Sequence, residues 1–149
     1  MYKHILIATD GSDLGQKGVE HGLALAKALG VEVTIVTVTE RFPVYSSGAG
    51  YDLAWSDRAL SEYSESQKAS AEAILTHAKR SADELGVTAA TQHVPDAEVG
   101  EAIISTAQQR DCGLIVMASH GRRGLGRLML GSKASEVLAH TEIPVLVVR

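Results

Sequence analysis

The sequence predicts an α/β domain built on a mostly parallel β-sheet, with helices covering both faces. Short apolar runs alternate with helix-like segments along the whole chain, which is the pattern of repeated β/α units. The first run, HILIAT at 4–9, is almost continuously apolar, as expected of a strand buried on both faces. The 149 residues are 45% hydrophobic, enough for one substantial core. We therefore expect a single domain, 1–149, with five strands.

The first helix is predicted to begin after Ser12 and Asp13, which can cap it, and to run to Leu29 before Gly30 stops it. Its buried stripe is expected to comprise four apolar residues: Val19, Leu23, Ala26 and Leu29. The β-branched run at 31–38 predicts the second strand. A connector rich in glycine, serine and aromatic residues follows at 40–56.

The second part of the chain repeats the alternation. A long helix is predicted from about Asp57 to Leu85, where Gly86 can end it. Pro95 and Asp96 are expected to begin another helix, which runs to about Arg110. The remaining predicted elements are strands at 87–94, 113–118 and 144–149, a helix at 132–140, and an irregular stretch at 119–131.

Composition excludes several classes of protein. The net charge of −4 and the low aromatic content argue against nucleic-acid binding, which favours basic faces and stacking platforms. Cys112 is the one cysteine, so we expect no disulfide framework and interpret it as a small buried hydrophobe. The apolar run near the first residue is too short for a signal sequence, and no run approaches a membrane span. A cytoplasmic protein without a membrane partner is expected.

Open parallel sheets bind ligands beyond the carboxyl ends of their strands, where the strand order reverses. The candidate site therefore lies at the ends of the first, second and fourth strands. The residues at these ends are Ala8-Thr9-Asp10, Val38-Thr39 and Met117 onward.

Residues 117–136, MASHGRRGLGRLMLGSKASE, look like a phosphate loop but fit neither familiar pattern. In the nearest match to the nucleoside-triphosphate loop, GRLMLGSK at 126–133, Ser132 and Lys133 stand in the wrong order. The dinucleotide pattern fails because Met129 stands where its third glycine is required. We interpret both matches as coincidental.

What remains is a physical argument for anion binding. Gly121 follows a buried strand where the backbone must turn, and Gly131-Ser132 opens a helix whose amino end attracts anions. Four basic residues support the same charge preference: Arg122, Arg123, Arg127 and Lys133. The alternative is that Gly131-Ser132 is only a helix cap and the arginines belong to a solvated loop.

The opening ILIATDGS, the closing IPVLVVR and the loop between them resemble the universal stress protein family over essentially the whole chain. Nucleotide-binding members carry the pattern G-2x-G-9x-G-[S/T] after the fourth strand. Gly121 and Gly131-Ser132 match its last two parts, whereas Ala118 occupies the place of its first glycine. We expect Ala118 to continue the strand, in which case its Cβ does no harm.

This resemblance implies an open parallel sheet of order 3-2-1-4-5, similar to the adenine nucleotide alpha hydrolases. It also implies ATP or a related adenine nucleotide, with Mg²⁺, and a homodimer through the strand at 144–149. Ala8, Thr9 and Asp10 would lie against the adenosine, with the Asp10 carboxylate near the ribose or a nucleotide-bound Mg²⁺. Val38 would bond adenine through its backbone, and Met117 and Ala118 would line the adenosine pocket. Six residues would surround the ribose and phosphates: Ser119, His120, Gly121, Gly131, Ser132 and Lys133.

The resemblance implies a stress-responsive regulatory dimer rather than a dedicated enzyme. The sequence contains no evident nucleophile–base pair, and slow ATP hydrolysis or autophosphorylation stays open. The alternative function is a nucleotide-free dimeric interaction module of the same fold.

A phospho-acceptor receiver domain is excluded because it needs adjacent acids after the first strand and a lysine after the fifth. The remaining alternatives concern Asp10, which could be a simple turn residue, and the aromatic residues at 42–63, interpreted as packing rather than as a lid.

Overall fold

The computed structural model describes residues 1–41, 57–121 and 130–149. Its strands form one parallel sheet of order β3-β2-β1-β4-β5, so the predicted fold class and strand order are confirmed. The strands are β1 (His4–Ala8), β2 (Glu32–Val38), β3 (Ala89–Val94), β4 (Leu114–Ala118) and β5 (Val145–Val148). The helices are α1 (Asp13–Leu29), α2 (Asp57–Leu85), α3 (Val99–Gln109) and α4 (Ser132–His140).

The sheet has an apolar cluster on each face, because the central strands are apolar at successive positions. On one face, Ile5 and Ile7 pack with residues of α1 and α2. On the other, Leu6 and Met117 pack with residues of α3 and α4. The molecule therefore has three layers, with the sheet between two pairs of helices.

The direction of the crossovers changes at β1. Ala8 of β1 lies opposite Val36 of β2 on one side and opposite Met117 of β4 on the other. The chain leaves β1 towards β2 and β3, whereas β4 and β5 lie on the opposite side of it. The carboxyl ends of β1 and β4 are therefore adjacent, and we call the region beyond them, where open parallel sheets bind ligands, the crevice.

Both ends of α1 form as predicted. The Ser12 hydroxyl accepts a hydrogen bond from the Gly15 amide at 3.0 Å, and Gly30 ends the helix with a left-handed φ of 66°. The prediction for Leu29 is wrong, because this last helical residue is 47% exposed. Leu25, which is partly buried, packs against the core in its place.

The predicted start of α3 is also wrong. Pro95 to Glu98 form a turn, with a positive φ of 51° at Asp96, and the helix begins only at Val99. The Ala97 amide donates to the Thr39 carbonyl at 3.2 Å, so the turn is bonded to the end of β2. The other boundaries differ from prediction by at most two residues. Cys112 is buried as predicted, and its burial raises the pKa of the thiol to about 11.

Candidate functional site

The crevice between β1 and β4 brings together five of the predicted site residues. Thr9 and Asp10 follow β1, and Ser119, His120 and Gly121 follow β4. A Cβ added to Gly121 would lie 2.9 Å from Asp10 Oδ2, so the two segments are in close contact. The structure therefore places the residues from the two strand ends at one location, as their topology predicts.

Asp10 is held in a defined orientation by the start of α1. Its Oδ1 atom accepts hydrogen bonds from the Ser12 amide at 3.0 Å and from the Ser12 hydroxyl at 2.6 Å. The alternative interpretation of Asp10, as a residue that stabilises the turn before the helix, is thus correct for its Oδ1 atom. The sequence analysis assigned Ser12 only to the helix cap, but its hydroxyl also fixes this carboxylate.

Thr9 connects β1 to the neighbouring strand. Its amide donates to the Val36 carbonyl at 3.0 Å, and its own carbonyl accepts from the Thr37 hydroxyl at 3.0 Å. Its hydroxyl accepts from the Gly11 amide at 3.2 Å. These bonds use the polar groups of Thr9 within the protein and rigidify this side of the crevice.

The amino end of α4 lies directly against the end of β4. The Gly131 amide donates to the Ser119 carbonyl at 2.8 Å, and a Cβ on Gly131 would lie 2.8 Å from the same oxygen. Gly131 is the N-cap, supplies no side-chain cap, and no acidic residue occupies the first turn. The first-turn amides of a helix lack acceptors within it, and its amino end carries partial positive charge. This end therefore has the properties of an anion site.

Ser119 and His120 form a side-chain pair beside this helix end. The Ser119 hydroxyl lies 3.0 Å from His120 Nδ1, and Ser119 is only 2% exposed. Among the described residues, His120 Nε2 is a buried side-chain nitrogen without a hydrogen-bond partner. In the tautomer in which Nδ1 accepts from the Ser119 hydroxyl, Nε2 carries the proton and can donate a hydrogen bond to a ligand oxygen. The pair was not recognised in the sequence, because adjacent serine and histidine residues carry no distinctive spacing.

The apolar members of the predicted site form the floor between the strand ends. Ala8 and Met117 are buried in the cluster beneath α3 and α4, and the partly buried Val38 packs against it. Ala118 is the last residue of β4 and lies opposite Val148, and it is not among the positive-φ residues of the described chain. Ala118 therefore continues the strand, as predicted.

Lys133 is surrounded by carboxylates. Its Nζ atom lies 3.3 Å from Glu40, 3.6 Å from Glu98 and 4.0 Å from Glu136. Burial alone would lower the pKa of Lys133, but the Glu40 hydrogen bond and the three negative charges together raise it. We call these four residues the Lys133 cluster. The sequence shows only the close spacing of Lys133 and Glu136, because Glu40 and Glu98 lie far from Lys133 along the chain.

Some predicted features lie outside the described residues. They are Arg122, Arg123 and Arg127, together with the aromatic residues Phe42, Tyr45, Tyr51 and Trp55. Within the described ranges, no three His, Cys, Asp or Glu side chains are arranged to hold a metal ion. No helix in these ranges is long and apolar enough to cross a membrane.

Solved structures with the same fold include nucleotide complexes. UspA from Lactobacillus plantarum has a TM-score of 0.83 at 23% identity, with 99% of this chain and 98% of that one covered. A universal stress protein from Archaeoglobus fulgidus was solved with dAMP (TM-score 0.65, 19% identity, 99% and 98% covered). A family member from Arabidopsis thaliana was solved with AMP bound (TM-score 0.66, 14% identity, 97% and 90% covered).

Sequence comparison gives the family. A universal stress protein of Methanocaldococcus jannaschii is 33% identical over 149 residues, covering all of this chain and 83% of the relative. The universal stress protein YxiE of Bacillus subtilis is 32% identical over the full length of both chains. The model of the universal stress protein family matches residues 1–149. This chain therefore belongs to the universal stress protein family.

Proposed function

We propose that this protein binds ATP or a related adenine nucleotide in the crevice between β1 and β4. The amino end of α4 is the observation that carries the proposal. It is free of acidic residues in its first turn and is bonded to the end of β4, directly beside the crevice. Phosphate groups bind readily at such helix ends. The nucleotide complexes of the structural relatives support the same ligand class.

The adenosine moiety would lie over the ends of β1, β2 and β4. In this arrangement Ala8, Thr9 and Met117 form the wall of the pocket, and the Val38 backbone bonds adenine. Asp10 would face the ribose, with its orientation set by Ser12. The backbone at Ala118 would complete the adenosine pocket, where the strand ends.

The phosphates would lie between the loop after β4 and the first turn of α4. Gly121, Gly131 and Ser132 provide backbone there without bulky side chains, and Ser119 orients the His120 ring. His120 Nε2, which lacks a partner among the described residues, would bond a phosphate or ribose oxygen. The protein would thus recognise phosphate through helix amides and one imidazole.

Magnesium would enter this site with the nucleotide. The described residues provide no three-ligand metal cluster, and Asp10 Oδ1 already accepts two bonds from Ser12. Phosphate oxygens and water molecules would therefore supply most of the ligands of Mg²⁺. This ion dehydrates reluctantly and is usually bound through substrate phosphates. The Asp10 carboxylate would stand beside the ion as a neighbouring negative charge.

We further propose that two copies associate through β5 and that the dimer is a cytoplasmic stress-response regulator. β5 is a terminal strand of the sheet and pairs only with β4 among the described strands. Leu146 on this strand is 38% exposed, which favours coverage by another chain. The same edge also suits the alternative function, a dimeric module that acts without a nucleotide.

Gly131→Ala tests the nucleotide site. The Gly131 φ of −62° suits alanine, so the disturbance comes from the contacts of the new Cβ with the Ser119 carbonyl oxygen at 2.8 Å and with His120 Cα at 3.2 Å. Because crowding of this kind costs about 1–3 kcal/mol, calorimetric titration should show ATP binding weakened by about tenfold or more. The matched control is Gly113→Ala, whose Cβ would meet Tyr2 at an ordinary 3.6 Å. Equal affinities in both variants would mean that ATP does not bind at the amino end of α4, and absence of ATP binding in the wild type would favour the interaction module.

A further inference from the structure

The Lys133 cluster joins three elements that border the proposed nucleotide site. Lys133 stands in the first turn of α4, Glu40 follows the end of β2, and Glu98 precedes α3. Glu136 is on the next turn of α4. One ammonium group thus contacts carboxylates on both sides of the gap between α4 and the end of β2.

The two carboxylates outside α4 belong to a connected unit. Besides the bond from Ala97 to Thr39, Arg41 Nε donates to the Asp96 carbonyl at 2.9 Å. Glu98 occupies the N-cap position of α3, yet its side chain makes no capping bond and lies 3.6 Å from Lys133 Nζ. Glutamate is not among the residues that favour the N-cap position, so this carboxylate is available to the ammonium.

The third carboxylate, that of Glu136, lies against a glycine of α3. A Cβ on Gly100 of α3 would clash with the side-chain atoms of Glu136, so the glycine allows Glu136 to lie across this helix. Glu136 is also the least exposed of the three glutamate side chains, at 34%. The packing of α3 on α4 therefore sets the position of this carboxylate next to Lys133.

Electrostatic interactions oppose movement of the Lys133 ammonium from its three carboxylates to a bound phosphate. Each pair is partly exposed, so each contributes little by itself. Withdrawal of the ammonium, however, would leave three carboxylates close together without a positive charge between them. The amides of α4 can meet the phosphate charge instead, which leaves Lys133 in its cluster.

We propose that Lys133 is a positioning residue that holds the phosphate-binding end of α4 against the adenine-binding end of β2, and is not itself a phosphate ligand. The proposal rests on the proposed function for the identity of the site. The link itself belongs to the nucleotide-free protein. Its loss should weaken AMP and ATP by a similar factor and leave adenosine almost unchanged, because only the phosphorylated ligands contact both parts of the site. Loss of a residue that binds phosphate directly would instead weaken ATP more than AMP.

Titrations of adenosine, AMP and ATP against Lys133→Met, Glu40→Gln and Lys133→Arg separate these roles. We expect Lys133→Met to weaken AMP and ATP by a similar factor, about three- to tenfold, and Glu40→Gln to weaken both by about two- to fourfold, with adenosine almost unchanged in each variant. Lys133→Arg should retain most of the affinity. Lys79→Met, which removes an exposed lysine of α2 paired with Asp83, is the control and should change nothing. A loss that grows from AMP to ATP, or tighter ATP binding in Glu40→Gln, would overturn the proposal.

Amide hydrogen exchange without nucleotide gives an independent readout. The hydrogen-bonded amides of Gly131 and Ser135 at the start of α4, and those of Thr39 and Ala97 beside the end of β2, should exchange faster in Lys133→Met and Glu40→Gln than in Lys79→Met. Unchanged exchange would overturn the link, whatever the titrations show. Faster exchange in a protein whose wild type binds no adenine ligand would refute the nucleotide site and leave the link in place.

Discussion

At the scale of single residues, the site depends on glycines that allow close backbone contacts and on the hydrogen bonds that its polar side chains make within the protein. Gly131 allows the amino end of α4 to reach the Ser119 carbonyl, and Ser12 occupies one oxygen of Asp10. The sequence predicts the positions of these residues, because caps and glycine turns are local signals. It does not predict the surroundings of Lys133, because Glu40 and Glu98 come from distant parts of the chain.

Ala118 is the residue at which the chain departs from the nucleotide-binding pattern. It has the extended conformation of a strand, so its Cβ imposes no backbone strain. We predict that Ala118→Gly changes ATP affinity by less than about twofold, as measured by calorimetry. The same substitution should lower the free energy of unfolding by about 0.5–1 kcal/mol, because glycine weakens a strand. A tenfold gain in affinity would mean that the Cβ obstructs the ligand.

At the scale of elements, predictions from local chemistry are confirmed except where a long-range contact overrides the local preference. The limits of α1, α2 and α4 follow from caps, glycines and apolar periodicity. The start of α3 was misplaced because a proline and an aspartate favour a helix start locally. The bond from Ala97 to Thr39, which cannot be inferred from local sequence, holds these residues in a turn instead.

The close packing of α1 on the sheet gives a prediction with its own control. A Cβ on Gly22 would lie 2.5 Å from Ile7 Cδ1, whereas one on Gly18 would meet Ala118 at an ordinary 3.5 Å. Alanine raises helix propensity by a similar amount at both sites, so only the packing differs. In urea unfolding, Gly22→Ala should therefore be less stable than Gly18→Ala by about 1–3 kcal/mol. Equal stabilities would show that Ile7 repacks without cost.

At the scale of the whole molecule, the order of the strands determines both the ligand crevice and the free edge. The reversal at β1 places Asp10 beside the loop after β4, and the same order leaves β5 at the margin. The alternation of strands and helices predicts the layered fold, and the resemblance to the universal stress proteins supplies the strand order. Neither predicts the charge arrangement between α4 and β2, which depends on the packing of α3.

The exposed edge gives the prediction for assembly. Leu146→Lys places a charge on β5 and should shift the protein from dimer to monomer in sedimentation velocity, because a buried unpaired charge opposes association. Leu85→Lys is the control, since Leu85 is similarly exposed (37%) but ends α2. A dimer that persists in Leu146→Lys would mean that β5 is not the interface.

The most direct test of the central claim is calorimetric titration of the wild-type protein with ATP and Mg²⁺, with GTP as the comparison. The account predicts one adenine-nucleotide site per chain and weak or undetectable binding of GTP. If the protein is purified with a bound ligand, mass spectrometry after denaturation should identify an adenine nucleotide. Absence of heat with ATP and with AMP, together with absence of released nucleotide, would contradict it.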